Sequence, residues 1–161
     1  MTDIAICLWF DTEGEAAAKH YVETFKAMGR AAELRGIARY GPEGPRPAGT
    51  AMTVRFTLDG LQLMALNGGP QYQHSPAFSM MVECADQAEI DGFWDRLVEG
   101  GAPIQCGWLT DRFGVSWQIV PKAFESLLSR GDAASKSRVM QAMFKMVKLD
   151  IGALEAAAKA A

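Results

Sequence analysis

One pattern occurs twice in this chain, and it limits the possible folds more than any other feature. An apolar strand is followed by a helix and then by strands that close on a glycine turn. A shift of 73 residues lays Tyr21 on Trp94 and Glu13 on Asp86, and a shift of 54 lays Gly60 on Gly114 and Met64 on Gln118. The offsets differ because the first copy carries a longer loop, Gly41–Gly49, with three prolines and three glycines. Such self-similarity reads as a duplicated supersecondary unit. The expected fold is therefore α+β, with two β-α-β-β-β modules in cupped mixed sheets and a helical C-terminal tail. The modules are expected at 1–70 and 77–121 and the tail at 122–161, all within one structural domain.

The elements follow from local pattern. Ile4–Phe10 (IAICLWF) is almost wholly apolar and reads as a strand buried on both faces. Asp11 or Thr12 is expected to cap the next helix, which runs to about Met28 with Ala17, Tyr21, Phe25 and Met28 inward; Gly29 ends it. Leu34–Tyr40 reads as a second strand. Thr50–Leu58 and Leu61–Leu66 form a hairpin around Asp59-Gly60. In the second copy Ala77–Cys84 is the first strand. Asp86 caps a helix to about Glu99, with Ile90, Phe93, Trp94 and Leu97 inward. A short strand near Pro103–Cys106 leads into the hairpin Cys106–Pro121, CGWLTDRFGVSWQIVP, whose turn is supplied by residues 111–114. In the tail, Ala123–Ser129 and Ser135–Leu149 read as helices, and the last stretch is Ala-rich.

Several function classes are excluded on composition. The 161 residues carry a net charge of −3 and no basic stripe, so nucleic acid is not an expected partner. No apolar run approaches 18 residues, so no membrane partner is expected and a soluble, cytoplasmic protein is. The three cysteines form no CxxC, and their odd number argues against a disulfide framework. Two histidines, His20 and His74, leave little for metal chemistry.

The residues that stand out are aromatic or polar groups at strand positions. Trp117 and Gln118 are adjacent on a strand and so point to opposite faces, one toward a helix-covered core. Gln118 then reads either as the polar group of a pocket or as a core amide bonded to a neighbouring strand. Trp9, Trp108 and Trp117 read as ligand-stacking walls or as ordinary core. Asn67 before Gly68-Gly69 reads as turn chemistry or as a backbone nest able to hold an anion. Tyr21, Met64 and Ser79 are further candidates for the pocket wall. Cys106 is another, with no basic neighbour in sequence to make it a nucleophile. Asp111 reads as turn chemistry, its side chain accepting from nearby backbone N–H groups.

These segments carry a family resemblance. LWFD at 8–11, Tyr21, ALNGGP at 65–70, FSMMVEC at 78–84, DQAEIDGFW at 86–94 and the 106–121 hairpin resemble the PhnB-like proteins that bear the label "3-demethylubiquinone-9 3-methyltransferase". The tail RVMQAMFKMVKLDIGAL at 138–154 is similar to that family's tail. The resemblance implies the vicinal-oxygen-chelate superfamily, a ligand cleft in each cupped sheet, and a homodimer. It also implies a choice between relatives that bind a small molecule without chemistry and metal-dependent lyases, isomerases or dioxygenases. In the metal-bearing relatives, His or Glu stands on the first and last strands of each module. Here the matching strands offer Ser79, Met64 and Gln118, so neither a metal nor another cofactor is expected. Methyl transfer is disfavoured, because the first strand is followed by DTEGE rather than a glycine-rich turn opening a helix. The expected function is binding of a small apolar or aromatic molecule in a metal-free cleft.

Overall fold

The computed structural model describes residues 4–160. The chain divides into two compact units, Met1–His74 and Ser75–Ala161. The first unit contains β1 (Ile6–Phe10), α1 (Gly14–Ala27), β2 (Ala32–Arg39), β3 (Ala51–Leu58) and β4 (Leu61–Asn67). Its sheet has the order β1-β4-β3-β2, with β1 parallel to β4 and the other pairs antiparallel. A parallel β1·β4 pair needs a long crossover, and α1 with the β2–β3 hairpin supplies it. Alternate strand residues, among them Leu8, Phe10, Val54, Phe56, Leu63 and Ala65, are buried with Ala17, Tyr21 and Phe25 of α1. The β3–β4 turn has both Asp59 and Gly60 at positive φ, as the two-residue hairpin requires.

β1 departs from the expectation of two buried faces. Leu8 and Phe10 are buried, but Cys7 is exposed and Trp9 is half-buried. α1 covers one side of the sheet only, and an unbroken apolar run does not reveal that. The start of α1 differs too. Neither Asp11 nor Thr12 caps it; Glu13 holds the cap position without a side-chain bond. The Gly14 N–H instead donates to Asn67 Oδ1 at 2.7 Å, across 53 residues. A Cβ on Gly14 would lie 2.7 Å from that oxygen, so only glycine permits the approach.

The second unit contains β5 (Ser79–Cys84), α2 (Gln87–Val98), β6 (Ala102–Pro103), β7 (Trp108–Thr110) and β8 (Ser116–Pro121). The sheet order is β5-β8-β7-β6, the first unit's topology again. α2 buries Ile90, Phe93, Trp94 and Leu97 as its period dictates. Asp86 accepts from Glu89 N, while Glu89 Oε2 accepts from Ala85 N, a close variant of the capping box. Both modules thus have the β-α-β-β-β form that the duplication predicted.

The tail folds as α3 (Ala123–Arg130), α4 (Ala133–Phe144) and α5 (Ile151–Lys159). α4 ends at Phe144 rather than continuing to Leu149. The carbonyls of Met146 and Val147 instead accept from the N–H groups of Cys106 and Gly107, both at 2.8 Å. Leu149 is buried, and Gln87 of α2 spans the segment: its Nε2 donates to the Leu149 carbonyl and its Oε1 accepts from Ile151 N. The tail is therefore tied into its own unit. Asp150 then caps α5 by accepting from Ala153 N.

Candidate functional site

Each sheet has a face that its helix does not cover, and the strand register sets what that face displays. In the first unit Cys7 of β1 pairs with Met64 of β4, which pairs with Arg55 of β3. These three side chains form one row on the open face. The adjoining rows are Trp9, Leu66 and Thr53 on one side and Gln62 and Thr57 on the other. A concavity of about 820 Å3 lies there, lined by Cys7, Met64, Arg55, Gln62, Thr57 and Glu33 among others. That volume is within the range of small-molecule sites. Partial desolvation raises the Cys7 thiol above its usual pKa, which keeps it the neutral thiol it already is at pH 7.

A second hollow, about 480 Å3, lies at the start of α1 beside Asp11, Arg39, Tyr40 and Arg46. Its charges answer one another. Arg46 pairs with Asp11 at 2.7 Å and Arg39 with Glu15 at 3.1 Å, while the Tyr40 hydroxyl donates to the Asn67 carbonyl at 2.7 Å. Lys19 and Arg39 hold the Glu15 carboxyl below its usual pKa. This arrangement closes the loop after β2 and leaves little charge for a ligand.

The open face of the second unit repeats the row with other residues. Met81 of β5 pairs with Gln118 of β8, which pairs with Trp108 of β7. Gln118 Nε2 donates to Ser79 Oγ at 2.9 Å, which brings these two candidates together on one face. Met81 is 58% exposed beside them. Gln118 and Met64 occupy the same place in their modules, as the 54-residue shift implied.

The other candidates separate. Tyr21 and Trp117 are both 0% exposed and belong to the core, so neither forms a ligand wall. Trp117 Nε1 donates to Asp111 Oδ2 at 2.8 Å, and Asp111 Oδ1 accepts from Phe113 N and Val115 N. One carboxylate therefore builds the turn and satisfies the buried indole. Asn67 is buried; its Oδ1 caps α1 and its Nδ2 donates to the Ala51 carbonyl. Its amide is thereby committed to structure, and Gly69 takes the positive φ (+115°) that the turn reading of this stretch calls for. Trp9 lies against Gly68, where a Cβ would come within 2.3 Å of the indole, and it donates to the Gly69 carbonyl at 2.7 Å. Cys106 takes positive φ (+62°) in the turn before β7, with its N–H bound to the tail. His74 packs edge-on to Phe10, and His20 lies beside Tyr21. Sequence reasoning missed Cys7, Arg55, Gln62 and Thr57. The signal was present in the alternation of Thr50–Leu58, where Thr53, Arg55 and Thr57 mark the uncovered face.

The match to known families agrees with this architecture. Residues 2–120 match the family model described as 3-demethylubiquinone-9 3-methyltransferase. The chain belongs to that family. A Bacillus cereus protein described as a putative 3-demethylubiquinone-9 3-methyltransferase, PhnB protein, is 30% identical, with a TM-score of 0.67 over 74% of this chain and 99% of its own. The Pseudomonas aeruginosa protein PA1353 is 23% identical, with a TM-score of 0.58 over 75% and 98% of the two chains. The Listeria monocytogenes fosfomycin resistance protein FosX is 13% identical, with a TM-score of 0.55 over 80% and 98%, a likeness of fold. No curated protein matches the chain. The family match ends at residue 120, so α3–α5 lie outside it.

The family resemblance read from the sequence raises the question of a divalent metal, and the donor chemistry bears on it. Hard cations need several carboxylate or imidazole ligands. The first and last strands of the modules present Cys7, Met64, Met81 and Gln118 in the corresponding rows. Among the described residues no three His, Cys, Asp or Glu side chains gather. The residues present do not fit that metal. Among the described residues, no helix is long and apolar enough to cross a membrane.

Proposed function

We propose that this family member binds a small molecule with an apolar or aromatic body on the uncovered sheet face of its first module, without a resident metal. The observation that carries the reading is the concavity of about 820 Å3 over the Cys7–Met64–Arg55 row. Its floor is a rigid sheet, so a ligand there orders few side chains on binding, which favours affinity. The Gln118–Ser79–Trp108 group occupies the corresponding position in the second module. Homodimerisation and a cytoplasmic location belong to the same reading, and light scattering of the purified protein checks the first.

A thermal-shift screen with aromatic and quinone-like compounds tests the function. A ligand at 100 times its Kd adds about 2.7 kcal/mol, a rise of several degrees for a chain of this size. The shift is expected to shrink in Met64→Trp, which narrows the concavity over this row, and to survive in Gln118→Leu. No shift across the library overturns the reading. A stoichiometric divalent metal retained through purification favours the metalloenzyme alternative, and saturable binding of S-adenosylmethionine favours methyl transfer.

A further inference from the structure

We infer that the ligand of the first-module cavity is an organic anion, its charge held by Arg55 and its apolar body lying across Met64 and Cys7. The inference rests on the proposed binding site and adds the chemical class of what fills it. Arg55 sits on β3, an interior strand flanked by β4 and β2. A cation that merely guards a sheet against aggregation belongs on an edge strand, and Arg55 is not on one. It has no hydrogen-bond or ion-pair partner among the described residues.

The remaining charges in the cavity wall leave Arg55 unopposed. Glu33 is paired with Arg35 at 3.3 Å. Among the described residues, Glu33, Arg35 and Arg55 are the charged ones of the lining, and together they sum to one positive charge in a chain of net charge −3. Cys7, beside Met64 in the same row, is a neutral thiol, its pKa raised further by partial desolvation, and so it does not offset the guanidinium. Gln62 and Thr57 add neutral hydrogen-bonding groups one row away. A planar guanidinium with its five donors free, next to a thioether and a neutral thiol, matches a carboxylate, sulfonate or phosphate on an apolar frame.

Two fluorescent probes with the same rings test this: 8-anilinonaphthalene-1-sulfonate, an anion, and N-phenyl-1-naphthylamine, which is neutral. Titration of the folded protein is expected to show the anion binding about tenfold more tightly, the worth of one hydrogen-bonded charge. In Arg55→Met the two affinities should converge to within about twofold, with Arg55→Gln as a second variant should the first fold poorly. The wild-type preference should shrink as salt rises toward about 1 M. Equal affinities in the wild type, or a preference unchanged in both variants, overturn the inference while leaving the site intact. Weakening of neither probe in Met64→Trp overturns the site itself, and failure of both probes to bind the wild type overturns both.

Discussion

The two modules share one topology and differ in how their polar groups are used. In the first, the start of α1 is held from across the sheet, by Asn67 at the end of β4. In the second, α2 is held locally by Asp86 and Glu89. The hairpins differ likewise. The β3–β4 turn relies on two left-handed residues and an exposed pair between Asp59 and Arg30. The β7–β8 turn is organised around the buried carboxylate of Asp111. On the open faces the Cys7–Met64–Arg55 row is matched by Met81–Gln118–Trp108. The helix-covered faces must stay apolar for either copy to fold, whereas the open faces are free to diverge. Differences between the copies in displayed side chains therefore collect on the open faces.

The sharpest way to break this comparison is at the two turns. Asp111→Ala strands three donors, the N–H groups of Phe113 and Val115 and the Trp117 indole. It should cost about 3–5 kcal/mol, whereas Asp59→Ala, which loses a partly exposed pair in a left-handed turn, should cost about 1 kcal/mol. Urea midpoints followed by tryptophan fluorescence check both, and equal costs would remove the distinction between the turns. The helix starts give a smaller contrast. Asn67→Ala removes both the Gly14 bond and the Ala51 bond and should cost about 2–3 kcal/mol. Asp86→Ala should cost about 1 kcal/mol, the ordinary worth of an N-cap.

These contrasts also show what the sequence could reveal. The strands, both long helices and the duplication were legible because period-2 and period-3.6 patterns are local and each copy repeats them. Asp86 was legible for the same reason, since an N-cap acts over three residues. Asn67 was not, because its partner lies 53 residues away and nothing near Gly14 announces it. Of the candidates, Met64, Ser79 and Gln118 were placed on an open face from strand position alone, and the register puts them there. Tyr21 and Trp117 were placed in the pocket wall because an aromatic side chain looks the same in sequence whether it faces a helix or a cavity. Arg55 was passed over because the hairpin reading gave the strand without asking which of its faces was bare. The end of α4 was misplaced because Met146 and Val147 keep helical spacing while their carbonyls serve another strand's turn.

The tail gives the second module something the first lacks, and its attachment can be graded. Gln87→Ala removes two bonds to the segment between α4 and α5. A loss of about 1–2 kcal/mol is expected, with faster amide exchange at Ile151 but not in α1. Unchanged exchange would mean that the burial of Leu149 alone holds the tail.

The smallest effect is electrostatic, and its sign can be worked out. Lys148 bonds Asp91 at 2.7 Å, and this, with the Gln87 amide, holds the Asp91 carboxyl below its usual pKa. A carboxylate depressed in the folded state stabilises above its unfolded pKa of about 3.9 and loses that contribution as pH falls through the folded value. Asp91 is 43% exposed at its side chain, so screening limits the gain to about 0.5 kcal/mol. Lys148→Met should therefore lower stability slightly at neutral pH and match the wild type once the pH lies below the depressed folded value. Glu15 in the first module has two cations, Lys19 and Arg39, where Asp91 has Lys148 at bonding distance. Lys19→Met should consequently leave most of the Glu15 contribution in place, because Arg39 remains. Urea titrations of both variants across that pH range decide it: equal pH-dependent losses would show that the second cation beside Glu15 adds nothing.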